Sequence, residues 1–252
     1  MTREERLNAI WVRTVEKLKE VVREFEVTED ELHVAGDYLN RLGQSGMGRS
    51  LLDVALALTA VGVATRGQPG TRPNLEGPYH APHPVRVDGN LLDHPPASGA
   101  VPLVVTGTVS DSASGKPIPG ARIDFWQTDA DGLYDKKGTH LRGIVVADDA
   151  GRYRLNTVMP ADYAEHDHDP IGELFRAMGK PNTRAAHIHV KITAGGKLRL
   201  TTQIFMPTSA FLDRDYVEGA VSPDLIVKLE PDPGTTGGPA FRTRFDFAVS
   251  TQ

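Results

Sequence analysis

The chain has 252 residues, of which 39% are hydrophobic and 24% charged, with a formal net charge of −5; this is the composition of a globular protein with a sizeable core, arranged as one large domain or two small ones. No block of Lys or Arg stands out, which argues against nucleic acid or an anionic membrane as the main partner, and the longest uncharged apolar run, Val54 to Ala64, is too short to span a bilayer. Cysteine is absent, so disulfides, thiolate metal sites and cysteine nucleophiles are excluded together, and any metal must be held by nitrogen and oxygen.

The charged Met1-Thr-Arg-Glu-Glu-Arg6 segment lacks the apolar stretch of a signal peptide, and a cytoplasmic protein is expected. Residues 1 to about 65 read as helices. Ala9, Val12, Val15, Leu18, Val22 and Phe25 recur at helical spacing, and Thr28-Glu-Asp-Glu31 is a helix start. Leu32, Ala35, Tyr38 and Leu39 carry a second stripe, which Gly43, Gly46 and Gly48 break. A third helix from about Ser50 is apolar on nearly every side and is expected to be buried, against a partner subunit if not within the chain. A Gly/Pro-rich connector follows from Gly67 to about Pro102, with Gly67-Gln-Pro-Gly70, Pro82 and Pro95-Pro96; His80 and His83 are expected to be loop residues there.

From Val101 the texture is β. Val101–Val109 is followed by a turn at Ala113-Ser-Gly-Lys116, and Ala121-Arg-Ile-Asp-Phe-Trp126 alternates cleanly. Ala130-Asp-Gly132 and Asp148-Asp-Ala-Gly151 read as hairpin-type turns. In the last strand Phe241, Thr243, Phe245, Phe247 and Val249 share one face, and Arg242, Arg244 and Asp246 the other. The expected architecture is mostly β with a helical N-terminus, an antiparallel sandwich or barrel fed by helices.

Chemistry enters at Arg184-Ala-Ala-His187-Ile-His189-Val-Lys-Ile192. On a strand, alternate side chains share a face, so both imidazoles project together as half of a metal site. Two histidines on a solvated strand face are the alternative. Among six tyrosines, Tyr134 follows the Asp129–Gly132 turn and Tyr163 leaves a strand for a loop rich in His and Asp. Neither continues an apolar alternation, although each alone is compatible with a surface tyrosine. His166-Asp-His168 reads as an exposed acidic loop rather than a chelate. No phosphate-loop, dinucleotide or nucleophile-elbow motif is present.

Taken together, these segments resemble the intradiol ring-cleaving dioxygenases of the catechol 1,2-dioxygenase family. The resemblance rests on Leu75-Glu-Gly-Pro78-Tyr79; Gly115-Lys-Pro-Ile-Pro-Gly-Ala121 with Asp124-Phe-Trp126 and Asp131-Gly-Leu-Tyr134-Asp135; Leu141-Arg-Gly143; and Asp149-Ala-Gly-Arg-Tyr153. Met159-Pro-Ala-Asp-Tyr163 with Pro170 and Gly172, Arg184-Ala-Ala-His187-Ile-His189 and Leu200-Thr-Thr-Gln203-Ile204 complete it. It covers roughly Asp53 to Gln203, plus a compatible helical N-terminus.

The resemblance implies an α-helical dimerisation and linker domain at 1–72 and a β-sandwich catalytic domain at 73–252. It implies one Fe(III) per subunit, held by Tyr134, Tyr163, His187 and His189. Two hard phenolate donors beside two imidazoles independently favour Fe(III) over Zn(II), and free tyrosine, titrating near ~10, loses its proton at neutral pH only beside a cation. A vicinal aromatic diol would bind through both oxygens and displace Tyr163, which takes a substrate proton as internal base. O2 would then add to the ring, giving a muconate- or maleylacetate-type diacid. Arg184 would stabilise developing negative charge, and Gln203 would stand behind the metal-bound oxygens.

Register with the family places Ser50, Asp53, Val54, Leu75, Gly77, Pro78, Tyr79, Tyr216 and Val217 in the substrate pocket. Asp53 amid leucines is costly to bury without a partner. Relatives acting on chlorocatechols and hydroxyquinol resemble this chain in carrying Asp there, which favours hydroxyquinol or a substituted catechol; the alternative is a helix cap or a pair with an Arg such as Arg66. Ala185, Ala164 and Asp162 stand where the family has proline, and looser loops near the ligands are expected. A homodimer through the N-terminal helices, with a lipid in that interface in some members, is also implied. Two rival readings are a non-catalytic β-sandwich binding module and a zinc or Fe(II) enzyme in which Asp124 or Asp135 replaces a tyrosine.

Overall fold

The computed structural model describes residues 1–80, 89–92, 99–232 and 240–251; Pro82, His83 and Pro95-Pro96 of the connector lie outside them. Helices α1 (Arg3–Glu24) and α2 (Glu29–Gln44) start at Thr2 and Thr28. Each threonine hydroxyl accepts the N–H of the glutamate three residues on, and that glutamate accepts the threonine N–H in return. These capping boxes satisfy backbone donors that the first helical turn leaves open. The third helix is not uniform: α3 (Gly48–Leu52) passes into a π-helical turn (Asp53–Ala57) and then α4 (Leu58–Ala64).

The expected burial of this third helix is not met within one chain. Leu51, Val54 and Leu58 pack inward, while Leu52 and Leu56 are each 58% exposed. Its apolar residues run all round the axis, and the rest of the chain meets only one side. Helix α1 buries no residue, and Leu7, Trp11, Val12, Leu18 and Phe25 of its surroundings are exposed. Among the described residues no single helix is long and apolar enough to cross a membrane.

Two sheets form the sandwich. In the first, β1 (Pro102–Asp111) pairs with β4 (Arg152–Val158), β10 (Phe241–Arg244) and β11 (Phe247–Val249), and β10 pairs with β9 (Glu230–Pro231). The second runs β3 (Arg142–Val146), β2 (Arg122–Gln127), β7 (His187–Ala194), β8 (Lys197–Phe205), antiparallel throughout. A short ribbon joins β5 (Tyr163–Ala164) to β6 (Thr183–Arg184), with α5 (Pro170–Ala177) between them. Period-2 alternation sends Ile123, Phe125, Ile188, Val190, Ile192, Leu200 and Ile204 of the second sheet into the sandwich core, against Leu103, Val105, Val109, Leu155 and Phe247.

Two expectations need correction. Gly151 N–H does donate to Asp148 O at 2.8 Å, but the turn carries the chain from β3 in one sheet to β4 in the other, so it is an arch rather than a hairpin. The Asp129–Gly132 turn does lie between antiparallel neighbours, β2 and β3, but it opens a long loop rather than closing a tight hairpin. The last strand keeps its faces, with Thr243, Phe247 and Val249 buried, but Phe245-Asp246 interrupts it, and both pieces run parallel to β1. At the break the Asp246 carboxylate accepts the Thr108 N–H at 2.8 Å, replacing a ladder bond.

Candidate metal centre

The face of the second sheet turned away from the sandwich core builds the site. Strand β7 presents His187 and His189 there, and the register sets Trp126 and Gln203 on either side of His189, with Phe205 beside His187. Trp126 stacks on His189 at 4.7 Å and 5°. Both imidazoles are buried, and their Nε2 atoms face each other at 3.0 Å. His187 Nδ1 lies 2.6 Å from Ala185 O, so it carries the proton and Nε2 carries the lone pair. His189 Nδ1 lies 3.4 Å from the Gln203 amide nitrogen, close to the Leu75 backbone. Burial, reinforced by Arg184, holds both rings well below the usual histidine range and therefore neutral. With both protons on Nδ1, the two Nε2 lone pairs would repel unless a cation lay between them.

The tyrosines come from loops. Gly132 (φ +78°) lets the turn after β2 rest on the 162–163 backbone; a Cβ there would lie 2.7 Å from Asp162 O. The Tyr134 ring thereby meets Tyr163 edge-on at 5.2 Å, and sits 6.0 Å from His189. Tyr163, paired across the ribbon with Arg184, is 5.8 Å from His187. The Tyr134 hydroxyl is fully buried and makes no hydrogen bond. Burial pushes both phenols up, so each keeps its proton unless a cation displaces it. An orphaned phenol oxygen, a second phenol and two facing imine nitrogens fit a hard, highly charged metal ion. Among the described residues no group of three or more His, Asp or Glu could hold a metal ion, so such an ion would depend on the phenols. Asp124 is engaged by His80 at 2.9 Å, and Asp135 accepts the N–H groups of Lys137, Gly138 and His140, which leaves neither free to replace a tyrosine.

Arg184 is buried, not part of a surface pair. Its Nε donates to Asp215 at 2.8 and 3.0 Å, and its Nη2 to Gln203 Oε1 at 2.9 Å. Burial opposes its charge, but Asp215 outweighs that and holds it fully cationic. Gln203 in turn donates to Leu75 O at 2.9 Å, linking the guanidinium to the segment that covers His189. In that segment Gly77 (φ +70°) lies so close that a Cβ would stand 3.3 Å from the His189 ring, and the Pro78–Tyr79 turn stacks Tyr79 on Tyr134 at 4.4 Å.

Of the remaining residues expected in the pocket, Val54 and Leu75 are half-buried against a second core cluster that contains Tyr216 and Val217. The Tyr216 hydroxyl donates to Glu165. Ser50 Oγ faces the Met47 sulfur at 3.8 Å. Asp53 is not buried: its side chain is 52% exposed and pairs with Arg49 at 3.4 Å rather than with Arg66, so the desolvation cost does not arise. His80 is a loop residue as expected, yet it packs edge-on against Trp126 at 4.7 Å. His166 does not lie in an exposed loop; it is buried, with Nδ1 2.6 Å from Asp169, the cap of α5.

The expected loosening near the ligands is also reversed at two positions. Asp162 accepts the Ala186 N–H at 2.7 Å, the Ser209 hydroxyl and the Ala210 N–H. Ala185 donates its N–H to Asp215 at 2.9 Å, which proline could not do.

Residues 75–250 match the family model described as "Dioxygenase", and residues 4–60 that of the "Catechol dioxygenase N terminus". The chain belongs to the intradiol ring-cleaving dioxygenase family. It is 33% identical to a chlorocatechol 1,2-dioxygenase of a Pseudomonas species over 91% of this chain and 92% of the relative. It is 32% identical to a hydroxyquinol 1,2-dioxygenase of a Rhizobium species over 85% of this chain and 76% of that one. The crystal structure of hydroxyquinol 1,2-dioxygenase from Pseudomonas putida DLL-E4 superimposes with a TM-score of 0.89 at 28% identity, covering 100% of this chain and 94% of that one. For an enzyme of this family, sequence reading missed Asp215, Glu165 and the stacked role of Trp126. Only Trp126 left a signal, as an alternate residue on the clean strand Ala121–Trp126.

Proposed function

We propose that the enzyme binds one Fe(III) per subunit through Tyr134, Tyr163, His187 and His189. With it, a catechol-type diol and O2 would give a ring-opened muconate- or maleylacetate-type diacid. Hydroxyquinol or a substituted catechol is the favoured ring, a reading supported by the names of the relatives. The single observation that carries the proposal is the unpartnered, buried Tyr134 hydroxyl in the same cluster as two buried imidazoles whose Nε2 atoms stand 3.0 Å apart. When bound, ferric iron supplies the Lewis acidity that lets phenol and diol protons leave near neutral pH.

The chain's own residues supply the rest. Tyr163 Oη, beside its cross-ribbon partner Arg184, would take up a diol proton as internal base. Arg184, fixed by Asp215 and Gln203, offers a preoriented cation where negative charge develops on the ring or its oxygens. Trp126 and Tyr79, stacked on His189 and Tyr134, keep water from the backs of the donor rings.

Purified protein should be red-brown from tyrosinate-to-iron charge transfer, and Tyr134→Phe should lose that band together with turnover, monitored as diacid formation. A colourless protein that takes up no iron on reconstitution, or an unchanged band in Tyr134→Phe, would sink the assignment. Residues 1–72 as a dimerisation and linker domain, 73–252 as the catalytic domain, and a cytoplasmic location belong to the same proposal. The exposed apolar residues of the helices support a homodimer, with a lipid as a further occupant of that interface. Sedimentation at micromolar concentration should give twice the chain mass, and a monomer would contradict it.

A further inference from the structure

The acidic loop after Tyr163 contains one carboxylate that reaches the site. The ribbon alternates there: Tyr163 and Glu165 point to one side, while Ala164 is exposed on the other. Glu165 N–H donates to Asn182 O at 3.3 Å, which extends the β5–β6 pairing by one residue and fixes that direction. The half-buried carboxylate accepts the Tyr216 hydroxyl and lies close to Tyr79, whose phenol is pushed up by burial and then by the Glu165 charge, so it stands between two walls from distant parts of the chain. Tyr79 is itself stacked on Tyr134. The Arg184 charge is already balanced by Asp215 at 2.8 Å, and Glu165 has no ion-pair partner among the described residues. A negative, acceptor-only group therefore stands on the Tyr163 side of the ribbon, near both phenol donors.

We propose that Glu165 is a specificity-determining residue, selecting diols whose ring substituent donates a hydrogen bond or carries positive charge and rejecting those with an anionic substituent. This rests on the reading that Tyr134, Tyr163, His187 and His189 form the diol-binding metal centre. The physical basis is one-sided discrimination. A donor on the ring gains a charge-assisted bond, while a carboxylate on the ring meets like charge in a partly desolvated pocket.

The test is equilibrium binding to the iron-loaded protein without O2, followed by calorimetry and by the visible band. The probes are catechol, 1,2,4-benzenetriol, 4-(2-aminoethyl)catechol and 3,4-dihydroxybenzoate. Wild type should bind the aminoethyl diol at least about tenfold more tightly than the dihydroxybenzoate. Glu165→Gln, which keeps the shape and one acceptor oxygen, should compress that ratio to about threefold or less. The benzenetriol should lose less than the aminoethyl diol, because an amide oxygen still accepts its hydroxyl. A flat ratio in wild type, which requires no variant, or an unchanged ratio in Glu165→Gln overturns the proposal even when catechol binds. Failure of wild type to bind any diol overturns the metal-centre reading and this inference with it.

Discussion

The two halves of the centre are held by different physics. The imidazoles stand on an interior strand of a four-stranded sheet, with Trp126 and Gln203 on the neighbouring strands and a continuous apolar core behind them. Their positions follow from the pleat. The phenols stand on loops, and polar side chains hold those loops in place. Asp162 clamps the Tyr163 segment to Ala186 and to the 209–210 turn, while Gly132 lets the Tyr134 turn lie directly on that segment. Ladder bonds and apolar burial make the first half stiff. The second half depends on a few carboxylates, so it is the half that substitutions should disturb.

The sharpest way to break this comparison is Asp215→Ala. It leaves the Arg184 guanidinium buried and unpaired beside the Tyr163 ribbon, and should cost about 3–5 kcal/mol in denaturant unfolding. A loss under ~1 kcal/mol, typical of an exposed pair, would show that the ion pair holds nothing. Asp162→Ala comes next. It removes the acceptor for the Ala186 N–H, and should cost about 1–3 kcal/mol. Amide exchange should accelerate in 162–165 while the strand amides of 188–192 keep their protection; equal acceleration in both would remove the distinction between loop-held and strand-held donors. The smallest expected effect separates the halves by pH. In metal-free protein His187 and His189 are held neutral by burial, with folded values below the unfolded value of about 6.5. The unfolded chain therefore binds more protons as pH falls through that value, and stability should decline there. A melting temperature that is level from pH 7.5 to 5.5 would contradict it.

Legibility of the sequence followed the same division. His187-Ile-His189 announced its face because a strand has a period of two, and Thr28-Glu-Asp-Glu31 announced a helix start because capping is local. Tyr134 and Tyr163 were assigned from their order along the chain and from resemblance, since a loop has no period to read. Asp53 misled because burial was inferred from its neighbours in sequence, whereas the helix turns its carboxylate out to Arg49. The substitutions at Asp162 and Ala185 misled for a related reason. Losing a proline implies slack only when nothing replaces its stiffness, and here new hydrogen bonds do.

Local chemistry alone determined the helical start, the strands and the facing imidazoles, because capping, alternation and turn formation act over fewer than about ten residues. Tertiary structure decided which strands share a sheet, that Asp215 neutralises Arg184, and that Glu165 meets Tyr79 and Tyr216. Those partners are 31, 86 and 51 positions apart in the chain. No short-range pattern specifies such meetings; only the closing of the sandwich brings them within reach.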